Sequence, residues 1–266
     1  MFCLRAFKAG FVITSIVAGF SLTASARILH TKPPPSETWN PWFPLTIGSG
    51  IEFETNQGKS QYDFPMLIEY NFSPRLKLSL EPSVSYVGDR AKDLGAVTGF
   101  SDLETSIEYE FVTERRYRPA LTALGTIKWP TATDPEIGTP SRDYTLGLIV
   151  SKDLVYVDLD FSALYTFIGD PKEKDTLELS LAAECPLNHF FDVEAEVVQT
   201  IGTGAIRGRP GTLAAVGGGE GNNLTEGTLG LAWHISKRLK VEQGAVLRSD
   251  GTWQIVFAWE WSFAGD

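Results

Sequence analysis

From Leu45 onward the chain alternates apolar and polar residues with a period of two. Leu45, Ile47, Ile51 and Phe53 share one face, while Thr46, Gly48, Gly50, Glu52 and Glu54 share the other. Consecutive side chains of a β-strand point to opposite sides, so this period predicts a strand with one apolar and one polar face. The pattern recurs in eleven further segments. The apolar face of the second is Phe64, Met66, Ile68, Tyr70 and Phe72, and that of the third is Leu76, Leu78, Leu80, Val84 and Tyr86. Leu103 to Phe111 sets apolar residues against Asp102, Glu104, Glu108 and Glu110. Segments at Leu121–Trp129, Tyr144–Val150, Val155–Phe167, Leu177–Ala183, Phe191–Val197, Leu229–Ile235 and Leu239–Leu247 follow. The twelfth, Trp253, Ile255, Phe257, Trp259, Trp261 and Phe263, is bulky at every second position.

The connections alternate in length. Ser73-Pro74-Arg75, Thr113 to Tyr117, Ser151 to Asp153, Pro186 to His189 and Ser236 to Arg238 are tight. Those between are mostly longer: Thr55 to Gln61, Gly88 to Gly99, Pro130 to Arg142, Ile168 to Asp175 and the Gly-rich Ile201 to Leu224, with Ser249-Asp250-Gly251 a short exception. If the strands run up and down, the short connections fall at one end and the long ones at the other. A soluble sandwich would share the strand period but has no reason to sort its loops in this way. Strands of about ten residues, rising roughly 3.3 Å per residue at a tilt near 45°, cross an apolar band about 25 Å tall. Aromatics such as Tyr70, Phe72, Trp129, Tyr165, Phe167 and Trp253 gather near strand ends, where a lipid–water boundary favours amphipathic rings. The expected fold is therefore an all-β, transmembrane, antiparallel up-and-down barrel of about twelve strands. Closure is required because an open edge in lipid would leave backbone groups unpaired.

Composition and the N-terminus agree with this reading. Of 266 residues, 43% are apolar and 12% aromatic, too many for a disordered chain. The net charge of −10 supplies no basic footprint for nucleic acid, which is excluded as a partner. Arg5 and Lys8, an apolar run from Phe11 to Phe20, and Ala24-Ser25-Ala26 form the three parts of a secretory signal. Residues 1–26 are expected to be a cleaved signal peptide, 27–43 a Pro-rich periplasmic leader, 44–263 the barrel and 264–266 a short extension. The two cysteines, Cys3 and Cys185, provide neither a disulfide framework nor a thiolate metal site.

Two further readings concern the ends of the chain and its family. The bulky alternation from Trp253 to Phe263 resembles the C-terminal signal of outer-membrane proteins, which implies the barrel-assembly machinery as a partner. Gly99-Phe100-Ser101-Asp102-Leu103, Pro119-Ala120-Leu121 leading to Lys128-Trp129-Pro130-Thr131, Ser141-Arg142-Asp143-Tyr144, Leu164-Tyr165-Thr166-Phe167-Ile168-Gly169 and Glu184-Cys185-Pro186-Leu187 resemble the succession of motifs in the MetA-pathway-of-phenol-degradation family. The resemblance covers roughly residues 44 to 263. It implies a bacterial outer-membrane barrel in contact with lipid and lipopolysaccharide, and a role in taking up aromatic or other hydrophobic compounds.

If the apolar face meets lipid, the other face lines the lumen. The lining residues expected are Glu69, Lys77, Glu81, Glu104, Glu108, Lys128, Asp158, Asp160, Glu178, Glu194, Glu196, Glu242 and Glu260. Lys240, Arg248 and His234 are the remaining inward bases. Such an acidic lining is either water-filled, favouring cations over anions, or paired into a polar plug, since isolated buried charge costs several kcal/mol per ion. No catalytic residue, metal site or cofactor is expected. His30, His189 and His234 are the only histidines, and no Ser stands in a nucleophile motif. His234 could meet Glu260 or Glu242 in a structural contact. Gly202-Thr203-Gly204-Ala205-Ile206-Arg207-Gly208 opens no helix and is not a phosphate loop. Passage of small solutes is the leading function, against a surface protein acting through its loops or a membrane-embedded hydrolase.

Overall fold

The computed structural model describes Pro35 and residues 44–56, 59–89, 94–170, 173, 175–202 and 223–263. The strand segments are β1 (Leu45–Asn56), β2 (Lys59–Ser73), β3 (Leu76–Glu81), β4 (Ser83–Asp89), β5 (Leu94–Phe100), β6 (Leu103–Val112) and β7 (Ala120–Trp129). They continue as β8 (Asp143–Asp153), β9 (Asp158–Phe167), β10 (Thr176–Pro186), β11 (Phe191–Gly202), β12 (Asn223–His234), β13 (Leu239–Arg248) and β14 (Trp253–Ser262). All pairings are antiparallel: β2 pairs with both β3 and β4, β3 with β6 and β4 with β5, and β6 to β14 pair in chain order, while β1 pairs with both β14 and β2, which closes the sheet. Two staves of the barrel are interrupted. β3 and β4 are separated by Pro82, which has no N–H to give a ladder but accepts from Met66 N at 2.9 Å. β5 and β6 are separated at Ser101-Asp102, where Ser101 N donates to Ser83 O at 2.9 Å. Counting each interrupted pair once, the fold is a closed antiparallel barrel of twelve strands.

Burial is inverted relative to a soluble protein. On β10 the inward Ser180 is 2% exposed and the adjacent Leu181 is 56% exposed. Glu194 and Glu196 are buried on β11, while Val197 faces outward. On the last strand Trp253, Ile255, Phe257, Trp259 and Trp261, with Phe263 just beyond it, are all exposed. A continuous apolar exterior of this kind is far larger than the scattered apolar residues of an ordinary surface. Rings pack along it, with Tyr70 and Phe72 at 4.8 Å, Tyr165 and Phe167 at 4.8 Å, and Phe191 stacked on Trp233 at 5.9 Å. Among the described residues, no helix is long and apolar enough to cross a membrane.

The structure shifts several expected boundaries. Only residues 57–58 separate β1 from β2, and only 90–93 separate β4 from β5. The expected loops Thr55 to Gln61 and Gly88 to Gly99 are largely consumed by paired backbone, with Asn56 opposite Lys59, Lys59 opposite Asp89 and Asp89 opposite Leu94. Chain length at this end thus goes partly into taller hairpins, and the long connections there are 130–142, 168–175 and 203–222. The turn expected at Ser151–Asp153 lies later. β8 runs through Asp153, and Leu154 N donates to Val157 O at 3.0 Å around Val155, whose φ is 72°. Leu154, Val155 and Tyr156 are exposed, so apolar residues in the turn imitate the strand period that led the expected strand to begin at Val155. In the short connection 249–252, Gly251 supplies the positive φ of 87°, a conformation glycine adopts without penalty. The expected signal peptide, the leader apart from Pro35, residues 203–222 of the expected Gly-rich loop and the extension 264–266 lie outside the described residues.

Candidate functional site

The inward faces of the staves meet in a polar interior organised around basic side chains. Lys77 sits on β3 between β2 and β6, directly opposite Glu108. That register puts an acid on each side of it: Nζ lies 3.1 Å from Glu108 Oε2 and 3.6 Å from Glu69 Oε1, with all three side chains 0% exposed. Lys240 on β13 holds Glu242 at 2.8 Å on its own strand and Glu194 at 2.9 Å on β11, with Glu184 of β10 at 3.9 Å. Arg248, at the other end of β13, donates from Nε to Glu226 Oε2 at 2.5 Å and from Nη1 to Glu54 Oε2 at 2.5 Å. Its Nη2 reaches Gln254 Oε1 at 3.4 Å, and Gln254 Nε2 donates to Glu52 Oε2 at 2.7 Å. The planar fork of arginine suits this many-sided contact.

Lys128 pairs with Asp143, its register partner on β8. Below it, neutral hydroxyl pairs step around the wall: Ser106 with Thr126 at 2.9 Å, Thr145 with Thr166 at 2.8 Å, and Ser162 with Ser180 at 2.7 Å. Not all inward positions are polar. Leu67, Ile149, Val198, Val246 and Val256 are buried there, and Val246 packs with Val256. Gly147 leaves room for Leu164 from β9, since a Cβ would stand 2.2 Å from Leu164 Cδ2.

The predicted lining residues distribute as follows. Glu69, Lys77, Glu81, Glu108, Glu194, Glu196 and Glu242 are buried. Glu104, Lys128, Asp160, Glu178 and Glu260 are half-buried, and Asp158, at the start of β9, is exposed. The register places Glu81 opposite Glu104, and Glu104 opposite Lys128. Asp63 and Glu226 are two further buried acids of the interior. Each lies where the strand begins earlier than the clear apolar alternation does, yet each keeps the period of two. Asp63 accepts from Ser85 Oγ and from Gln61 Nε2, at 2.8 Å in the latter case.

Two expected placements change. His234 pairs with Asp192, not with Glu260 or Glu242. β12 lies between β11 and β13, and the inward Asp192 and Glu242 both face Ala232 in register, one on each side. The imidazole turns to the β11 side, and Lys240 already holds Glu242. Asp102, in the break between β5 and β6, caps the connection 130–142: it accepts from Ala132 N at 3.1 Å, from Thr139 N at 2.7 Å and from Thr139 Oγ1 at 3.1 Å. That connection also covers the free side of β5, Thr133 N donating to Phe100 O at 3.0 Å. Asp134 serves the same loop, accepting from Glu136 N at 2.8 Å.

Among the described residues, fourteen acids are buried, and the basic side chains enclosed with them are those of Lys77 and Arg248, the latter 5% exposed.

Comparisons with known proteins agree on the fold. An outer membrane channel from Pseudomonas putida F1 is similar at a TM-score of 0.61 and 13% identity, over 83% of this chain and 96% of that one. The NanC porin is similar at 0.57 and 8% identity, over 83% of this chain and 100% of that one. The KdgM porin is similar at 0.54 and 10% identity, over 81% and 99%. No family profile matches the chain. No curated protein matches it.

Proposed function

We propose that this chain is a bacterial outer-membrane channel for small solutes, with an interior that favours cations. The observation that carries this reading is the pairing of an apolar exterior with a carboxylate-rich interior in one closed barrel. Closure of the sheet pairs the backbone of the wall strand to strand, which is what hydrocarbon requires. The similarity in fold to outer membrane channels and porins supports the same reading. The expected signal peptide would bring the chain across the inner membrane, and the alternation ending at Phe263 would present it to the barrel-assembly machinery. The resemblance to the phenol-degradation family supports aromatic or other hydrophobic compounds as solutes. The protein acts by passage, without catalysis.

A second reading is supported by Lys77, Glu69 and Glu108, which are wholly enclosed. Such a tightly paired cluster belongs to a polar plug that holds the pore closed at rest.

Reconstitution of the full chain in planar bilayers under a KCl gradient tests both. A zero-current potential of the sign for K⁺ passage supports a cation-favouring channel. Anion selectivity overturns the acidic-lumen reading, and absence of any conductance leaves the plug in its place.

A further inference from the structure

Glu184, Asp192 and His234 come together at one mouth of the barrel. They stand on three successive staves, β10, β11 and β12, beside the short connections 187–190 and 235–238. Pro186 opposes Asp192, and Asp192 opposes Ala232, so the three inward side chains converge from neighbouring strands. One ligand atom from each lies within 4.8 Å of the other two. Asp192 and His234 already touch through Oδ2 and Nε2.

We propose that Glu184, Asp192 and His234 form a binding site for a divalent transition-metal cation such as Zn²⁺. One imidazole nitrogen and two carboxylate oxygens are a donor set that suits such ions, whereas Mg²⁺ and Ca²⁺ prefer oxygen alone. Ligand atoms bound to one Zn²⁺ at about 2 Å each stand about 3 Å apart, so the observed grouping needs only rotamer-scale adjustment to close on an ion. Access and anchoring are divided between the residues. The Asp192 side chain is 8% exposed, held by the wall, while the His234 side chain is 38% exposed and open to an arriving ion.

The surrounding charge permits the site. Lys240 is opposite His234 and 3.9 Å from Glu184, but its closer partners are Glu194 and Glu242. Asp158 and Glu194 stand opposite Glu184 on its two sides, so acids outnumber the one nearby ammonium. Binding displaces the Asp192–His234 contact and fixes three staves to one another at this mouth. The site stands independently of whether the barrel conducts.

The test is equilibrium dialysis of the purified full chain in detergent against Zn²⁺, with metal counted per chain. Wild type is expected to bind one Zn²⁺ at micromolar concentration, and His234→Ala and Asp192→Asn to lose it at least tenfold. His234→Gln keeps a polar side chain at the position and guards against a folding defect, and heat-modifiable migration on gels verifies that each variant is a folded barrel. Folded wild type that binds no Zn²⁺, or binding unchanged in folded His234→Ala and His234→Gln, overturns the proposal.

Discussion

Arg248 reaches Glu54 across the seam where the first and last strands close the barrel. Its Nη1 lies 2.5 Å from Glu54 Oε2 although the residues are 194 positions apart in sequence. The same guanidinium holds Glu226 on the other side at 2.5 Å. One side chain on β13 thus ties β12 to β1, spanning β14. Its hydrogen bonds also fix the orientation of Gln254, which in turn engages Glu52.

Removing that cation while keeping its bulk isolates the cost. Arg248→Met is expected to destabilise the barrel by about 3–5 kcal/mol, because buried carboxylates lose the charge that compensates them. Adding Glu54→Gln and Glu226→Gln should return most of the loss, since neutral amides carry no such penalty. Urea unfolding of the reconstituted protein measures both. A single variant within about 1 kcal/mol of wild type would remove this cluster from the forces holding the seam, on the scale of ordinary substitutions.

The apolar exterior has its own test. Leu181, 56% exposed at the middle of β10, faces hydrocarbon under the proposed function. Leu181→Arg is expected to cost about 2–4 kcal/mol, the penalty for arginine near a bilayer midplane. An exposed leucine in water would tolerate the same change. Unfolding in vesicles reads the difference.

Val155 carries backbone strain at a hairpin turn. A β-branched residue at φ 72° pays roughly 1–2 kcal/mol for the left-handed conformation, and at 79% exposure it recovers little by burial. Val155→Gly should stabilise the barrel by about 1 kcal/mol despite the added freedom of the unfolded chain. A loss of stability in the same unfolding assay would show that the turn does not hold this conformation.

The strands and their two faces were legible because period-two alternation is a local property, repeated often enough to exclude a helix. Boundaries were not. At Leu154–Val157 apolar turn residues prolong the alternation beyond the strand end, while at Asp63 and Glu226 the strand extends ahead of its apolar markers. The tall hairpins near Lys59 and Asp89 read as loops because polar strands above an apolar band carry no apolar face. Inward-pointing acids could be named from parity alone. Their partners could not, because Arg248 with Glu54, or His234 with Asp192, depends on register across several strands. Gly147 and Leu164 illustrate the same limit: each looks unremarkable in its own strand, and their close approach arises only from pairing.

Under the proposed function the apolar outer wall of the barrel meets lipid. Trp233, Trp253, Trp259 and Trp261, four of the seven tryptophans of the chain, point outward, so most of the intrinsic fluorescence reports on that wall. The most direct measurement is tryptophan emission of the full chain reconstituted in vesicles whose acyl chains carry bromine, a contact quencher. Strong quenching relative to unbrominated vesicles is the predicted result. Emission unaffected by bromine, from a chain that stays folded and monomeric in buffer without detergent, would contradict it.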